Sequence, residues 1–423
     1  MDIKHPKAAT DIIQSISSIK PQTNNSLSFL RRIRKDLGAF LEYVWELSGS
    51  LRLYEVDVVT VVGTEKHTNQ RITTFYMGHY DNFDFILDLI YSKFDVIDKY
   101  KGINSIYTKK WITRYENCVD LLFVDVELLF CQILPRNKFL EIPQWVRQKF
   151  DIPMSWQEVL NKFRKNTKKT DLRKVRKYNF TIRLTDSEED FRDFYHRIYV
   201  PYLTKRFENA VIIEPEWKVM RQCKKGQLLQ IIRENEVVAC ALLHNLAGRM
   251  AYVWAGVPDH VTGDMFNGAF SALYYFTTLL GYEHGCDEID FLGSRPLLND
   301  GLFRYKRKWG TYVEDSPVPR GDILLKPLTF SAPIRSFFAN NYFITREGKD
   351  LVGNILLEQK AVKQKDLEDI IDYYYINGLK HIKIFSCNGF NADAKSYARS
   401  KAPEIKLLDI SESTNPEDAF CCL

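Results

Sequence analysis

The feature that most limits how this chain can fold is a set of three apolar runs: Leu228 to Arg233, Val237 to Asn245 and Arg249 to Val257. They are joined only by Glu234-Asn235-Glu236 and Leu246-Ala247-Gly248. Connections that short let neighbouring strands pair antiparallel and nothing else, because a parallel return needs a crossover of about a dozen residues or more. The segment beyond Val257 sets the next constraint. Phe266, Ala269, Phe270, Leu273, Thr277 and Leu280 recur at helical spacing, Gly281 and Gly285 offer stops, and Glu288 to Gly293 reads as a further strand. The order predicts a mixed sheet in which a splayed parallel pair flanks the Met265 to Leu280 helix. Gly301 to Gly310, Gly-Leu-Phe-Arg-Tyr-Lys-Arg-Lys-Trp-Gly, then places Lys306 in an aromatic, basic helical turn just beyond a strand end, and Tyr312-Val313 reads as the last strand.

With 423 residues, 45% of them hydrophobic, the chain is long enough for two or three cored domains. No run of eighteen apolar residues occurs, and Met1-Asp2-Ile3-Lys4-His5-Pro6 lacks a secretory apolar stretch, so a soluble, cytoplasmic protein is expected. The eight cysteines show no Cys-x-x-Cys pair and no histidines at zinc-ligand spacing, which points to reduced thiols and no metal. Cys421-Cys422-Leu423 is not a prenylation pattern. Charge is uneven. Asn161 to Tyr178 holds nine basic residues against Asp171 alone, a net of +8 in a chain of net +5, so an anionic partner is sought there first.

The expected organisation is a disordered leader over residues 1–28, a first α/β domain over 29–150, a second over 151–320, a small α/β module over 346–410 and a tail over 411–423. In the first domain Asp36 to Leu47 and Phe83 to Phe94 read as helices, and Leu53 to Val62, Arg71 to Met77, Cys118 to Val126 and Leu128 to Ile133 as strands. The second opens on a basic helix, continues with a strand over Tyr178 to Leu184, and starts a helix at Ser187, with Asp190 three residues on, that Pro201 bends or ends. The C-terminal module reads as strand (Asn354 to Leu357), helix (Lys365 to Tyr375), strand (His381 to Phe385), helix (Ala392 to Arg399) and strand (Ile405 to Leu408). That is a βαβαβ unit.

Several stretches carry a resemblance. Asp171-Leu172-Arg173-Lys174-Val175-Arg176-Lys177, Asp193-Phe194-Tyr195 with Tyr202-Leu203-Thr204-Lys205-Arg206, Val237-Val238-Ala239-Cys240-Ala241, and Phe291-Leu292-Gly293 with Phe303 to Gly310 occur in the order of the GNAT superfamily. The chain resembles the FemAB-like branch in particular, over Gln144 to Asp315, with the first domain covered by order and by Ile142-Pro143-Gln144-Trp145-Val146. Two departures stand out. Tyr305 replaces the branch's usual phenylalanine, and between Gly256 and Phe270 only Gly263, Asn267 and Gly268 stand where acetyl-CoA-binding relatives carry a glycine-rich pyrophosphate loop.

The resemblance implies an α/β (α+β) fold of tandem GNAT-like domains with mixed sheets, the first degenerate. It implies an N-acyltransferase moving an acyl or aminoacyl group from acyl-CoA (acetyl-CoA) or aminoacyl-tRNA to an amine of a sugar, lipid or cell-envelope precursor, without a metal. It places Lys306 towards the acceptor or leaving group, oxyanion donors at Ala255, Gly256 and Val257, and phosphate contacts at Gly263, Asn267 and Gly268 near a helix start. Arg206, Arg173 and Arg176 are expected to clamp carboxylate or phosphate. His260 is the candidate general base, ahead of Asp259 and Glu314, while His244, within a strand, is expected to be structural. The C-terminal module is read as a structural or partner-docking unit; it also weakly resembles restriction-endonuclease-like domains, with Glu358-Gln359-Lys360 and Asp350 as the acids. A nucleic-acid-binding protein, gripping phosphates with the 161–178 basic helix and the C-terminal module, is the alternative reading.

Overall fold

The computed structural model describes residues 55–125, 134–207, 213–246, 248–316, 321–358, 360–401 and 404–411. The expected leader, the Asp36 to Leu47 helix, the Leu128 to Ile133 strand, Gln359 and the tail beyond Ser411 lie outside the described residues. Along the chain come β1 (Glu55–Glu65), β2 (Arg71–Gly78), α1 (Tyr80–Ile90), β3 (Tyr91–Asn104), β4 (Leu121–Asp125) and β5 (Leu140–Pro143). Then come β6 (Val146–Asp151), α2 (Trp156–Lys162), α3 (Leu172–Lys177), β7 (Thr181–Thr185), α4 (Val200–Phe207), β8 (Gln227–Arg233), β9 (Glu236–Leu246) and β10 (Arg249–Gly256). The helix α5 (Gly263–Glu283), β11 (Glu288–Ser294), α6 (Gly301–Arg307), β12 (Tyr312–Asp315) and β13 (Asp322–Pro327) are next. The chain closes with α7 (Ala332–Asn340), β14 (Ile344–Glu347), β15 (Asp350–Leu357), α8 (Gln364–Tyr374), β16 (Leu379–Ser386), α9 (Ala392–Ser400) and β17 (Ile405–Asp409).

These strands make three mixed sheets, in the orders β3-β1-β2-β4-β13-β5, β12-β6-β11-β10-β9-β8-β7 and β14-β15-β16-β17. The first two repeat one pattern. Along β1-β2-β4-β13-β5 the pairs are antiparallel, parallel, antiparallel and antiparallel. Along β9-β10-β11-β6-β12 they run in the same sense. The fold is thus α/β, with two halves in tandem built on one pairing pattern. Each half also lends a strand: β6 directly succeeds β5 yet lies in the second sheet, and β13 succeeds β12 yet lies in the first. A boundary at 150/151 therefore assigns β6 to the half it leaves, and the range 29–150 lacks the strand that joins β4 to β5.

The meander forms as its short connections require. Glu234 and Asn235 both have positive φ, 52° and 67°, the two-residue turn whose twist matches a hairpin. Three differences from the sequence reading have local causes. Residues 91–104 form a 14-residue edge strand rather than a helix end; most positions of β3 are exposed, so neither apolar period announces it. The basic run 161–178 is not one helix: Phe163 is extended (ψ 138°), α2 stops there, and a π-helical turn over Thr167–Asp171 precedes α3. Pro201 does not end its helix, because it sits at the second position of α4, beyond the widened π-turn Phe194–Tyr199.

In the C-terminal module β15, β16 and β17 are parallel, with β14 antiparallel at the edge. The module shares a core with the second half, where Val146, Leu298, Phe303 and Val313 pack among its residues. Arg307 of α6 reaches across, donating from Nε to Tyr375 O at 2.7 Å and from Nη2 to Asp372 O at 2.7 Å, which satisfies carbonyls at the end of α8. The endonuclease-like arrangement is corrected. Asp350 begins β15 and pairs with Lys380, whereas Glu358 lies past its other end and pairs with Arg335. At about 3.3 Å per residue the two acids are about 25 Å apart and cannot share a metal.

Candidate active site

The parallel pairs of the two halves end differently. In the first, β2 and β4 pair from Thr74–Leu121 to Gly78–Asp125, the last residues of both strands. The end is stapled by the fully buried Asp125, which accepts from Tyr76 Oη (3.0 Å), Asn82 Nδ2 (2.9 Å) and Gln144 Nε2 (2.7 Å). In the second, β10 and β11 pair only over Arg249–Ala251 and Glu288–Asp290, then diverge. Each strand is irregular at that point: β10 slips register against β9 between Tyr252 and Trp254, and β11 against β6 between Asp290 and Gly293. Leu292 sits at φ 57°, a left-handed conformation costly for a side chain of its kind. Two sets of bonds hold it. Its N–H donates to Asp290 Oδ1 at 2.9 Å, and Lys306 Nζ donates to Gly293 O at 2.7 Å and Leu292 O at 3.4 Å. Asp290, fully buried, is held in turn by Arg147 Nε at 3.0 Å. A bulge in each strand just beyond the last paired rung thus parts them, and this gap between Tyr252–Gly256 and Phe291–Ser294 is the candidate cleft.

An aromatic box lies beside this cleft. Tyr274 of α5 stacks on Phe291 (4.9 Å between centroids) and meets Tyr252 (5.1 Å) and Tyr305 (5.1 Å), while Phe270 meets Tyr305 at 5.0 Å. Arg206 of α4 lies over Tyr202 and Phe270 at 5.7 and 5.8 Å. The Tyr252 hydroxyl is buried without a hydrogen-bond partner among the described residues, and burial raises the pKa of Tyr202, Tyr252, Tyr274 and Tyr305 alike. A polar chain leads out of the box. Tyr305 Oη is 3.0 Å from Ser271 Oγ, which is 3.0 Å from Asp171 Oδ1 and 2.7 Å from Asn267 O; Lys308 Nζ donates to Asp171 Oδ1 at 2.8 Å and lies 3.8 Å from the centre of the Tyr305 ring. Burial lowers the Lys308 pKa and the Asp171 carboxylate opposes it.

The second groove is elsewhere. About 490 Å³ in volume, it lies at the opposite end of the same sheet, walled by Leu243, the paired part of β10 at Met250, and Leu280 and His284 at the close of α5.

No protein-family model matches the chain, and no curated protein matches it either. Among solved structures it is similar to a crystal structure of FemX, at 14% identity and TM-score 0.34, over 61% of this chain and 82% of that one. L-PGS from Bacillus licheniformis gives 13% and 0.32, over 64% of this chain and 85% of that one. A GCN5-related N-acetyltransferase from Sphaerobacter thermophilus gives 13% and 0.29, over 60% and 73%. At these scores the likeness assigns neither residues nor substrates.

The sequence-derived site residues divide. Ala255, Gly256 and Val257 lie at and just beyond the diverging end of β10, and Lys306 stands across the cleft beneath β11. Lys306 is buried, however, with its ammonium on strand carbonyls; burial pushes its pKa down to about 7, against Asp290 and Asp300. It pins the cleft wall instead of facing an acceptor. Gly263, at φ 59°, starts α5, and Asn267 Nδ2 donates to Gly263 O. A Cβ on Gly268 would stand 2.9 Å from the Tyr178 ring, so that glycine serves helix packing. The first turn of α5 already carries an anion: Asp264 is bound by Lys174 (2.8 Å), Lys177 (3.1 Å) and Tyr178 Oη (3.0 Å), hydrogen bonds that hold its carboxyl well below the usual carboxylate range. Arg173 and Arg176 are exposed, and His260 is exposed in the loop before α5. Asp259 pairs with Lys205, and Glu314 with Lys149 on the far side of β6. His244 is structural as expected, its Nε2 3.0 Å from Gln222 O and its pKa lowered by burial. Sequence reasoning missed Asp171, Ser271 and the partner role of Lys308. The lone acid inside a basic run was the one available signal.

Proposed function

We propose that the chain is an N-acyltransferase that moves an acyl or aminoacyl group from acyl-CoA or aminoacyl-tRNA to an amine of a sugar, lipid or cell-envelope precursor. The observation that carries this reading is the cleft opened between β10 and β11 in the second half alone. A strand released from its neighbour frees backbone N–H groups, and those near Ala255 to Val257 are aimed where an oxyanion would develop in acyl transfer to an amine. The first half, stapled shut by Asp125, is the degenerate copy. Lys306 and Leu292 keep the cleft open, and Arg206 over the aromatic box meets a carboxylate or phosphate.

The donor's phosphates meet Arg173 and Arg176 instead of the first turn of α5. Asp264 already occupies that turn, and a second anion there would be repelled. Acyl-CoA and aminoacyl-tRNA both fit this placement, and the reaction proceeds without a metal in a cytoplasmic protein. A thermal-shift panel of acetyl-CoA, long-chain acyl-CoA and charged tRNA tests it. Stabilisation by one donor class, reduced in Arg173→Ala and Arg176→Ala, supports transfer from that class; no shift with any of them removes the reading.

One observation favours nucleic-acid binding without catalysis. Lys165, Lys169, Arg173 and Arg176 are exposed and carry no ion-pair partner among the described residues. Tight binding of uncharged duplex that falls steeply with salt, with no donor-induced shift, selects this second reading.

A further inference from the structure

The polar chain behind the cleft has a direction. Ser271 has one hydroxyl proton, and its neighbours Asp171 Oδ1 and Asn267 O can only accept. The serine therefore donates to one of them, so in the Tyr305–Ser271 bond the tyrosine is the donor. Its proton points away from the cleft, towards a carboxylate. The Tyr305 side chain is half-buried and packs on Phe270 and Tyr274 of the box, and beside its bond to Ser271 its oxygen is approached by the Trp309 indole N–H, which leaves one lone pair.

We propose that Tyr305, Ser271 and Asp171 form a proton relay that drains the acceptor amine during transfer, with Lys308 holding the Asp171 carboxylate in place. The proposal rests on the acyltransferase reading of the same cleft. The amine nitrogen bonds to the donor's carbonyl carbon, and the bond from that carbon to its sulfur or oxygen breaks. An amine proton passes to the Tyr305 oxygen as the tyrosine's own proton moves to Ser271 and the serine's to Asp171. The leaving thiolate or alkoxide takes a proton from water, and Asp171 returns one to solvent, so the sum is amide plus thiol or alcohol. Tyr305 is the catalytic residue; Ser271, Asp171 and Lys308 are positioning residues. The other groups around Tyr305 do not compete: Tyr202, Tyr252 and Tyr274 have pKa values raised by burial and stay protonated.

Two measurements on the full chain test this. In the first, thiol release from acetyl-CoA is followed with glucosamine as acceptor. Tyr305→Phe, Ser271→Ala and Asp171→Asn are expected to lose about 100-fold in turnover at pH 7, the usual scale of general-base catalysis, with the KM for acetyl-CoA unchanged. The deficit shrinks towards pH 9.5, where hydroxide removes the proton, and Lys308→Arg recovers what Lys308→Met loses. Wild-type turnover in Tyr305→Phe, or a deficit independent of pH, overturns the relay while leaving the transferase reading intact. The second measurement needs no turnover, so it decides the relay even where acetyl-CoA proves not to be a donor. With 3-fluorotyrosine placed at position 305, the fluorine resonance is expected to titrate at a different pH, by about one unit, in Asp171→Asn and in Ser271→Ala. Titrations superimposable on that of the unsubstituted chain overturn the relay.

Discussion

Lys306 stands out from the sequence because it closes an aromatic, basic turn, yet its surroundings depend on a conformation no residue there announces. A leucine at φ 57° turns two strand carbonyls towards it, and the lysine ends up buried under β11. Asp171 and Ser271 were illegible for a related reason: a hundred positions separate them, and each has a bland local explanation, a stray acid in a basic run and a small residue in a helix. Burial of Lys306 has a consequence for stability. Its pKa in the folded chain is about 7, below the usual lysine value of about 10.4. Between those values the unfolded chain binds the proton and the folded chain does not, so stability rises with pH across that window and is flat below it. Compared with Lys306→Met, which cannot titrate, the wild type should gain up to about 1.4 kcal/mol per pH unit above pH 7. Urea unfolding of both at pH 6, 7, 8 and 9 measures the gap; a gap that does not change above pH 7 means the lysine remains protonated when buried.

Elements built on a clear apolar period were readable, and those shaped by neighbours were not. The meander, α5 and β11 emerge directly from apolar spacing and connection length, as do α8, β16, α9 and β17. The edge strand β3 is mostly exposed, and the break in the basic run at Phe163 comes from that ring packing edge-on against Trp309 (5.1 Å), a tertiary contact. The expected splay was present, but its cause, a bulge in each strand, lay in backbone geometry. That cause orders substitutions at Leu292 against hydrophobicity. Asparagine tolerates left-handed φ, whereas a β-branched residue is strained there by about 1–2 kcal/mol. Leu292→Val should therefore destabilise the chain more than Leu292→Asn does, although valine is the closer match in polarity. Denaturant midpoints for the two variants give the order, and a less stable asparagine variant would mean that side-chain burial, not backbone strain, governs the bulge.

At the scale of the whole molecule, the tandem arrangement was legible as two successive α/β patterns, but the exchange of strands was not, since β6 and β13 each read as an ordinary strand beside its neighbours in sequence. Pairing partners are a property of the folded sheet. β6 fills the place between β11 and β12 through two antiparallel ladders, and β13 fills the equivalent place between β4 and β5. Without β13 the fully buried β4 presents an open edge in the middle of its sheet, and without β6 the cleft-bearing β11 loses the ladder that holds it against β12. The described residues from Glu55 to Ser411 fall in one compact unit, as this exchange requires. The halves should accordingly depend on each other for folding. Fragments 1–150 and 151–423, produced separately, are expected to show no cooperative thermal transition, because the first lacks β13 and the second lacks all but the last residue of β6. Co-expressed, they should associate and restore one transition close to that of the intact chain, with both sheets completed across the cut. Calorimetry of the fragments alone and together measures this; a cooperative transition in either fragment alone would show that the borrowed strand is dispensable to the half that receives it.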